Sequence, residues 1–328
     1  MSIIAIAKRA GVSIATVSRV LNNSAAVKPK TSERVKAVIA ELGYSPNLLG
    51  RHLRTSETRL LLTMVPNFGN PYYAEIVQGI DTVARREGYN VLLCNTGASL
   101  PTERAYFDML RNRLTGGAIC LDPDSIQSAL AEDTSDLCWI ACCEFDPEGN
   151  VPYVGIDNAG AAFDAVSYLI GRGRRSIALL NSDTRYMYAR QRQQGYLNAL
   201  QAAGLTAPEG GVINAAGLSF DDGRLAVRQL LQSGVKPDAI FAVSDTLAIG
   251  AMRELREVGL RIPEDVAVMG FDNVPISTMV QPELTTVAQP MQQLGETAVT
   301  LLLQRMRNPM ASVDGILLEH KLVIRGST

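Results

Sequence analysis

The sequence predicts a small all-α head with helix-turn-helix spacing, followed by an α/β body of two doubly wound parallel-sheet subdomains. Two observations favour this division. Residues 1–58 carry nine basic and three acidic side chains, whereas the remaining 270 residues have a net charge of −8. From residue 60 onward, short apolar runs alternate with helical patterns, which is typical of parallel strands covered by helices on both faces. The hydrophobic fraction of 47% over 328 residues is enough for two or three folding units and excludes wholesale disorder.

The head is predicted from short apolar periodicities that turn residues interrupt. Ile3–Ala10 has apolar side chains at helical spacing, Gly11 supplies a turn, and Ile14–Asn22 places apolar side chains on one face of a second helix. A third helix starts near residue 31 and ends at Gly43. Three short helices with a turn after the first describe a helix-turn-helix domain, whose second helix enters the major groove of DNA. The basic charge agrees with a polyanion partner, although a solvated basic face would carry the same charge.

The exposed face of the second helix offers groups that can read bases. Arg19 can donate in a fork to guanine O6 and N7, and Ile14 and Ala15 can contact a thymine methyl group. Flanking polar side chains suit phosphate contacts, which fix the register of the helix on the duplex. These flanking residues are Ser13, Thr16 and Asn22.

Gly11–Asn22 resembles the DNA-binding helices of the LacI/GalR family of bacterial transcription regulators, and Glu41–Asn47 is similar to the junction before that family's hinge helix. The resemblance implies that Asn47–Arg54 becomes helical when two subunits meet on DNA, with Leu53 as a minor-groove wedge. Gly50 lies in this segment at a position where many relatives carry alanine. Glycine lowers the stability of the hinge helix by roughly 1 kcal/mol relative to alanine. The residues then expected to contact DNA are Ser13, Ile14, Ala15, Thr16, Ser18, Arg19, Asn22, Tyr44, Asn47 and Leu53.

The body is predicted from buried strands and the helices between them. The strand candidates are Leu60–Val65, Val91–Cys94, Ala118–Leu121, Trp139–Cys143, Ser176–Leu180, Ala239–Val243 and Val266–Gly270. The helix candidates are Tyr72–Glu87, Thr102–Leu114, Phe163–Ile170, Gln191–Ala203, Asp222–Gln232 and Leu247–Val258. Because these strand and helix units are too many for a single sheet, the pattern favours two subdomains with a cleft between them. Ligands bind in such a cleft where the carboxyl ends of the strands face it.

The sequence lacks motifs for catalysis and for cofactor binding. Gly171–Ser176 is rich in glycine and arginine, but it follows a helix and precedes a strand, the reverse of a pyrophosphate site. Neither His52 nor His320 lies beside a serine or cysteine at a strand end. Two histidines leave little material for a metal site, and the odd number of five cysteines fits free thiols in a reducing cytosol. We expect a cytoplasmic protein that is not an enzyme, uses no cofactor or metal, and has no apolar run long enough to span a membrane.

The body also resembles the effector domain of the LacI/GalR family, which shares its fold with periplasmic sugar-binding proteins. The segments that carry the resemblance are Asn70–Tyr73, Gly155–Asn158, Ser244–Asp245, Gly270–Asn273 and Leu284–Val287. Among the branches of the family, the cytidine-repressor branch is the most similar. The segments that indicate it are Phe163–Val166, Val287–Pro290 and Ile324–Thr328.

The resemblance implies a set of effector residues around the cleft. Aromatic faces hold a sugar face or an apolar ring edge, whereas aspartate and arginine bind hydroxyls or ring nitrogens. Core packing of the aromatic residues, helix capping by the aspartates and a solvated position for the arginine stay open as alternatives. Leu218 stands where many relatives place an aromatic platform, and sugars, sugar derivatives and nucleosides all stay open as ligand classes. The implied residues are Tyr72, Tyr73, Phe145, Asp157, Arg190, Arg192, Leu218, Asp245 and Asp272.

These features predict three parts of the chain and one function. We expect a DNA-binding domain over residues 1–45, a hinge helix and linker over 46–58, and an effector-binding and dimerisation domain over 59–328. Because the leucine heptad of tetrameric relatives is missing, we expect a homodimer that binds a pseudo-palindromic double-stranded operator. The expected function is that of a transcriptional regulator controlled by a small molecule. The alternative, a solute-binding protein of the periplasmic type, is disfavoured by the basic head and by the missing signal segment. The expected subdomains are an N-subdomain at about 59–158 and 291–319 and a C-subdomain at about 159–290 and 320–328.

Overall fold

The computed structural model describes residues 3–21, 27–43, 58–121, 134, 137–308 and 315–328. The chain divides into two compact units, Met1–Thr58 and Arg59–Thr328. None of the helices within these described ranges is long and apolar enough to cross a membrane.

Over residues 3–21 and 27–43 the first unit is a head of three helices. Helices α1 (Ile3–Ala10), α2 (Ile14–Leu21) and α3 (Pro29–Glu41) enclose a small core, and Gly11 turns the chain at a φ of +62°. α3 begins earlier than expected because its first position is a proline, which has no N–H to leave unsatisfied there. The buried core residues are Ile6, Ala7, Ala10, Val17, Val20, Val35 and Val38. The helix-turn-helix prediction is confirmed over the described part of the head.

The described residues of the second unit form two six-stranded sheets. The first sheet consists of β1 (Leu60–Val65), β2 (Asn90–Asn95), β3 (Gly117–Cys120), β4 (Trp139–Cys142), β5 (Tyr153–Ile156) and β11 (Ile316–Leu318). The second consists of β6 (Ile177–Asn181), β7 (Val212–Asn214), β8 (Ala239–Ala242), β9 (Ala267–Asp272), β10 (Thr285–Ala288) and β12 (Lys321–Val323). Their strand orders are β11-β5-β4-β3-β1-β2 and β12-β10-β9-β8-β6-β7. All described pairings are parallel except that of β10 with β12, so the predicted pair of doubly wound subdomains is confirmed.

Helices cover both sheets. Those of the first sheet are α4 (Pro71–Arg86), α5 (Leu100–Arg111) and α10 (Met291–Arg307). Those of the second are α6 (Asn158–Gly171), α7 (Met187–Ala202), α8 (Phe220–Gln232) and α9 (Asp245–Glu257), with a short 3-10 helix at Pro275–Thr278. The chain passes between the sheets after β5, after β10 and between β11 and β12.

Glycine allows α4 and α10 to pack backbone against backbone. A Cβ atom added to Gly79 would lie 2.1 Å from the carbonyl oxygen of Gln292, and one added to Gly295 would lie 2.1 Å from that of Ile76. This contact fixes the returning helix α10 on the first sheet, beside the helix that begins at the cleft.

Candidate functional site

The solvent-facing side of α2 is the first candidate site. Val17 and Val20 are buried on one side of this helix, which leaves Ile14, Ala15 and Arg19 exposed on the other. Within the described part of the head, no acidic side chain pairs with Arg19.

Two hydroxyl side chains fix the start of α2. Ser13 Oγ accepts a hydrogen bond from the Thr16 N–H at 3.1 Å, and the two hydroxyl oxygens lie 2.9 Å apart. Ser18 is partly buried on the same helix. The other DNA-contact predictions, Asn22, Tyr44, Asn47 and Leu53, lie outside the described residues, as does most of the predicted hinge.

The second candidate site is a cleft where the carboxyl ends of the two sheets face each other. It contains a small cavity of about 30 Å³, and residues from both halves of the body line its wall. The structure brings five of the nine predicted effector residues to its wall. They are Tyr72, Tyr73, Arg192, Leu218 and Asp272.

Arg192 is the central cation of the cleft. Only 6% of the residue is exposed, and its Nε donates to Asn158 Oδ1 at 2.9 Å. The same guanidinium group donates to the carbonyl of Val243 and lies 3.6 Å from the centroid of the Phe271 ring. Hydrogen bonds and an aromatic face together stabilise a buried guanidinium group. Arg192 is consequently a cleft residue and not a solvated one.

Asp272 belongs to a chain of hydrogen bonds that spans the cleft. Its Oδ1 accepts from Gln289 Nε2 at 2.7 Å, and Gln289 Oε1 accepts from the Tyr72 hydroxyl at 3.0 Å. The Arg192 guanidinium nitrogen is 3.8 Å from the same Oδ1. Burial raises the pKa of Asp272 to about 7, although Arg192 and Gln289 oppose this shift. The residue has a φ of +116°, a strained backbone conformation that is common at ligand sites.

Glu144 is a cleft carboxylate that the sequence analysis missed. Its two carboxylate oxygens accept from the backbone N–H groups of Met187 and Tyr188, at 2.7 and 2.9 Å. Glu144 follows β4 in the first sheet, whereas α7 packs on the second, so this contact joins the two halves of the body. Burial raises the pKa of Glu144, while the two N–H groups and nearby arginines lower it. An acidic residue just after an apolar strand was the available signal.

Two of the predicted effector residues have structural contacts outside the cavity. Phe145 stacks on Tyr153 with ring centroids 4.0 Å apart and packs in the core of the first sheet. Asp157 is exposed and caps α6, because its Oδ1 accepts from the Gly160 N–H at 2.9 Å. For these two residues the structure matches the alternatives of core packing and helix capping.

Two others also lie away from the cavity wall. Arg190 is exposed and donates to backbone carbonyl oxygens of the loop before α7. Asp245 is fully buried and accepts from the Val274 N–H at 2.8 Å and from the Thr286 hydroxyl at 2.5 Å. Burial and the neighbouring Asp272 raise the pKa of Asp245. Asp245 therefore stabilises the loop after β9 through its hydrogen bond with the Val274 N–H.

An exposed helix on a three-helix head, and a polar cavity between two parallel sheets, define a class of DNA-binding regulators with a ligand-binding body. The family described as bacterial regulatory proteins, lacI family, matches residues 2–47, and the periplasmic binding protein-like domain matches residues 166–328. The chain is 35% identical over 325 residues to the HTH-type transcriptional repressor CytR of Escherichia coli (strain K12), with 98% of this chain and 95% of that protein covered. It is 33% identical to catabolite control protein A of Priestia megaterium, with 98% of both chains covered. The chain belongs to the LacI family and is a DNA-binding transcriptional regulator.

Two solved structures of transcriptional regulators are similar to this chain. The Lac repressor dimer bound to operator and the anti-inducer ONPF has a TM-score of 0.89 at 28% identity, covering 100% of this chain and 98% of that one. The CelR–cellobiose complex has a TM-score of 0.77 at 32% identity, covering 100% of both chains. The resemblance to the LacI/GalR family is confirmed, and these homologues are regulators and not enzymes.

Proposed function

We propose that this chain acts as a homodimeric repressor whose affinity for operator DNA is controlled by a sugar or nucleoside bound in the cleft. The observation that carries the proposal is the buried Arg192–Asp272 pair at the cavity wall. Burying a guanidinium group beside a titratable carboxyl group is costly, and proteins commonly accept this cost at a binding site. A regulator of this kind works in the cytoplasm, and the proposal includes no enzymatic step.

In the proposed DNA complex, α2 lies in the major groove. Arg19 donates to guanine, while Ile14 and Ala15 contact thymine methyl groups. The hydroxyls near the start of α2 contact phosphates. The family resemblance supports the remaining contacts, which we assign to Asn22, Tyr44, Asn47 and Leu53.

In the proposed effector complex, the ligand is a hydroxylated ring. Arg192 and Asp272 supply a donor and an acceptor, and the Tyr72 hydroxyl lies on the same hydrogen-bonded chain. Leu218 and Tyr188 provide an apolar and an aromatic surface at the wall. The relative CelR has been solved with cellobiose, which supports the sugar class. Ribose carries the same vicinal hydroxyls, so a nucleoside stays within the proposal.

The proposed coupling between the two sites runs through the cleft. We assign DNA binding to residues 1–45, the hinge to 46–58, and effector binding and dimerisation to 59–328. A ligand that joins the two halves of the body changes the distance between the two hinges of a dimer. Such a coupling is typically worth about 1–3 kcal/mol.

Binding to duplex DNA tests the first half of the proposal. The full chain is titrated onto labelled duplexes in a filter-binding assay at several salt concentrations. We expect the affinity to fall steeply with salt, because phosphate contacts release counterions. The Arg19→Ala variant serves as the control for specific binding. Binding that is absent or insensitive to salt would support the alternative, a solute-binding protein without gene regulation.

A thermal-shift screen of sugars and nucleosides tests the second half. A ligand at a hundred times its dissociation constant stabilises the folded state by about 2.7 kcal/mol. The Asp272→Asn variant should lose the shift, whereas Asp157→Asn, which changes an exposed helix cap, should keep it. A shift that both variants keep would place the ligand outside this cleft.

A further inference from the structure

Two adjacent cysteines at the end of β4 have neighbouring sulfur atoms. The Sγ atoms of Cys142 and Cys143 are 3.6 Å apart. Successive side chains of a strand normally point to opposite faces of the sheet. Here Cys143 has a φ of +75°, in the left-handed region, and both side chains pack against the same apolar cluster. The turn of the backbone at Cys143 therefore brings the two thiols together.

The two thiols differ in access. Cys142 is fully buried, whereas Cys143 is partly buried and lines the cleft cavity next to Tyr72. Cys143 is therefore the more accessible of the two thiols, and the Cys142 thiol lies farther from the cavity. Hydrogen bonding to Cys143 and burial raise the pKa of Cys142. An outer attacking thiol with an inner resolving thiol is the arrangement that thiol–disulfide exchange requires.

We propose that Cys142 and Cys143 form a redox-reactive vicinal dithiol in the cleft wall, which a small disulfide such as oxidised glutathione converts to a disulfide. The Cys143 thiolate attacks one sulfur of the small disulfide, which forms a mixed disulfide and releases one small thiolate. The Cys142 sulfur then attacks the Cys143 sulfur of the mixed disulfide while the Cys142 proton passes to the departing small thiolate. The protein disulfide closes, and the second small thiol is released. The two cysteine protons end on the two released thiols, so the protein is oxidised and the reagent is reduced by two electrons.

The chain geometry makes this disulfide easy to reduce again. Adjacent Cα atoms across a trans peptide are about 3.8 Å apart, whereas disulfide-linked cysteines usually have Cα atoms about 4.4–6.8 Å apart. A bridge between neighbours is strained, and strained disulfides have more oxidising potentials. Closure also moves the Cys143 sulfur at the cavity wall, so the state of the pair changes the shape of the cleft.

Trapping with oxidised glutathione tests the order of the two steps. The full chain is incubated with the reagent, and peptide masses are measured before and after reduction. We expect the wild-type peptide to lose the mass of two hydrogens, the Cys142→Ser variant to keep one glutathione on Cys143, and the Cys143→Ser variant to remain unmodified. A Cys138→Ser variant, which changes a partly buried cysteine outside the pair, should behave as the wild type.

Capture by phenylarsine oxide gives a second readout that does not depend on oxidation. This trivalent arsenical bonds two thiols and releases water, and we expect one equivalent on the wild-type and Cys138→Ser proteins and loss of capture in either pair variant. Circular dichroism establishes that each variant is folded. An unmodified Cys143 in the Cys142→Ser variant, a bridge from Cys142 to Cys120, or arsenical capture that survives both pair substitutions would each overturn the proposal.

Discussion

Replacing Asp272 by asparagine should change how the stability of the protein depends on pH. In the native state this carboxyl group is buried between Gln289 and Arg192, and its pKa is raised to about 7. In the unfolded chain it titrates near its ordinary value of about 3.9. Between these two values the folded protein holds a proton that the unfolded chain has released. The free energy of unfolding therefore falls as pH rises through this window, and it levels off above pH 7.

The size of the effect follows from linkage. One proton held only by the folded state changes the free energy of unfolding by about 1.4 kcal/mol per pH unit. From pH 5 to pH 7 the Asp272 contribution is therefore roughly 2–3 kcal/mol. The Asp272→Asn variant cannot titrate at this site, so this part of the decline should be missing from it. The negative charge of Asp272 also raises the pKa of Asp245, and its removal changes the pH profile in the same direction.

Urea denaturation at fixed protein concentration measures the difference. The Asp272→Asn variant should gain stability relative to the wild type by roughly 2–3 kcal/mol between pH 5 and pH 8. Asp265→Asn is the matched control, because hydrogen bonds from Arg261 lower the pKa of that partly exposed carboxyl group to about 2. Its titration is complete below pH 5, so its effect on stability should not change over this range. Parallel pH profiles for the wild type and the Asp272→Asn variant would refute the assignment of a neutral, buried Asp272 below pH 7.

Three further substitutions test other parts of the molecule. Arg19→Ala should cost about 1–3 kcal/mol of binding at one operator base pair, measured by competition among base-substituted duplexes, whereas a uniform loss across all sequences would indicate a phosphate contact. Glu144→Gln removes the negative charge at the start of α7 and should lower the free energy of unfolding, measured in urea at pH 8, by about 1 kcal/mol. An unchanged free energy of unfolding would contradict the contact between the two halves of the body. Gly79→Ala places a Cβ 2.1 Å from the Gln292 carbonyl oxygen and should lower the free energy of unfolding by about 1–3 kcal/mol in thermal melts. Gly171→Ala, whose Cβ would have no atom within 4 Å, is the control and should not change the stability. Equal melting temperatures for the two variants would contradict the close contact between the helices.

The predicted elements of the body agree with the structure where the apolar pattern is strong. Leu60–Val65 and Ala239–Ala242 are buried strands whose side chains face helices on both sides of a sheet. Thr285–Ala288 was missed because two threonines begin it. In the structure they are buried and form hydrogen bonds, since Ser327 Oγ accepts from the Thr285 N–H at 2.8 Å. Threonine suits a strand, but the sequence does not show which distant residue satisfies its polar atoms.

The residues of the candidate cleft could be predicted only in part, because the sequence does not show which way a side chain at the end of a strand turns. Asp157 and Asp272 both lie at or just after the end of a strand, so their surroundings in the sequence are alike. Asp157 has an extended backbone and turns back onto the N–H groups of the helix that follows. Asp272 has a positive φ and turns into the cavity. The backbone φ angle of the aspartate decides whether its side chain caps a helix or faces the cavity. The residue type alone is compatible with both roles, so the sequence does not distinguish them.

The hydrogen bonds that the cleft already contains restrict what can enter it. Arg192, Asp272, Gln289 and the Tyr72 hydroxyl each have a protein partner, so a ligand that moves one of these groups has to replace the bond that it breaks. A buried polar group left without a partner costs about 1–3 kcal/mol, and a charged group costs more. An apolar molecule that displaces one of these partners is therefore disfavoured, because it would leave Arg192 or Asp272 unsatisfied. A ring with adjacent hydroxyls both donates and accepts, and it can complete these bonds from either half of the body. The same polar chain that weakens the fold as Asp272 loses its proton thus selects hydroxylated ligands for this cleft.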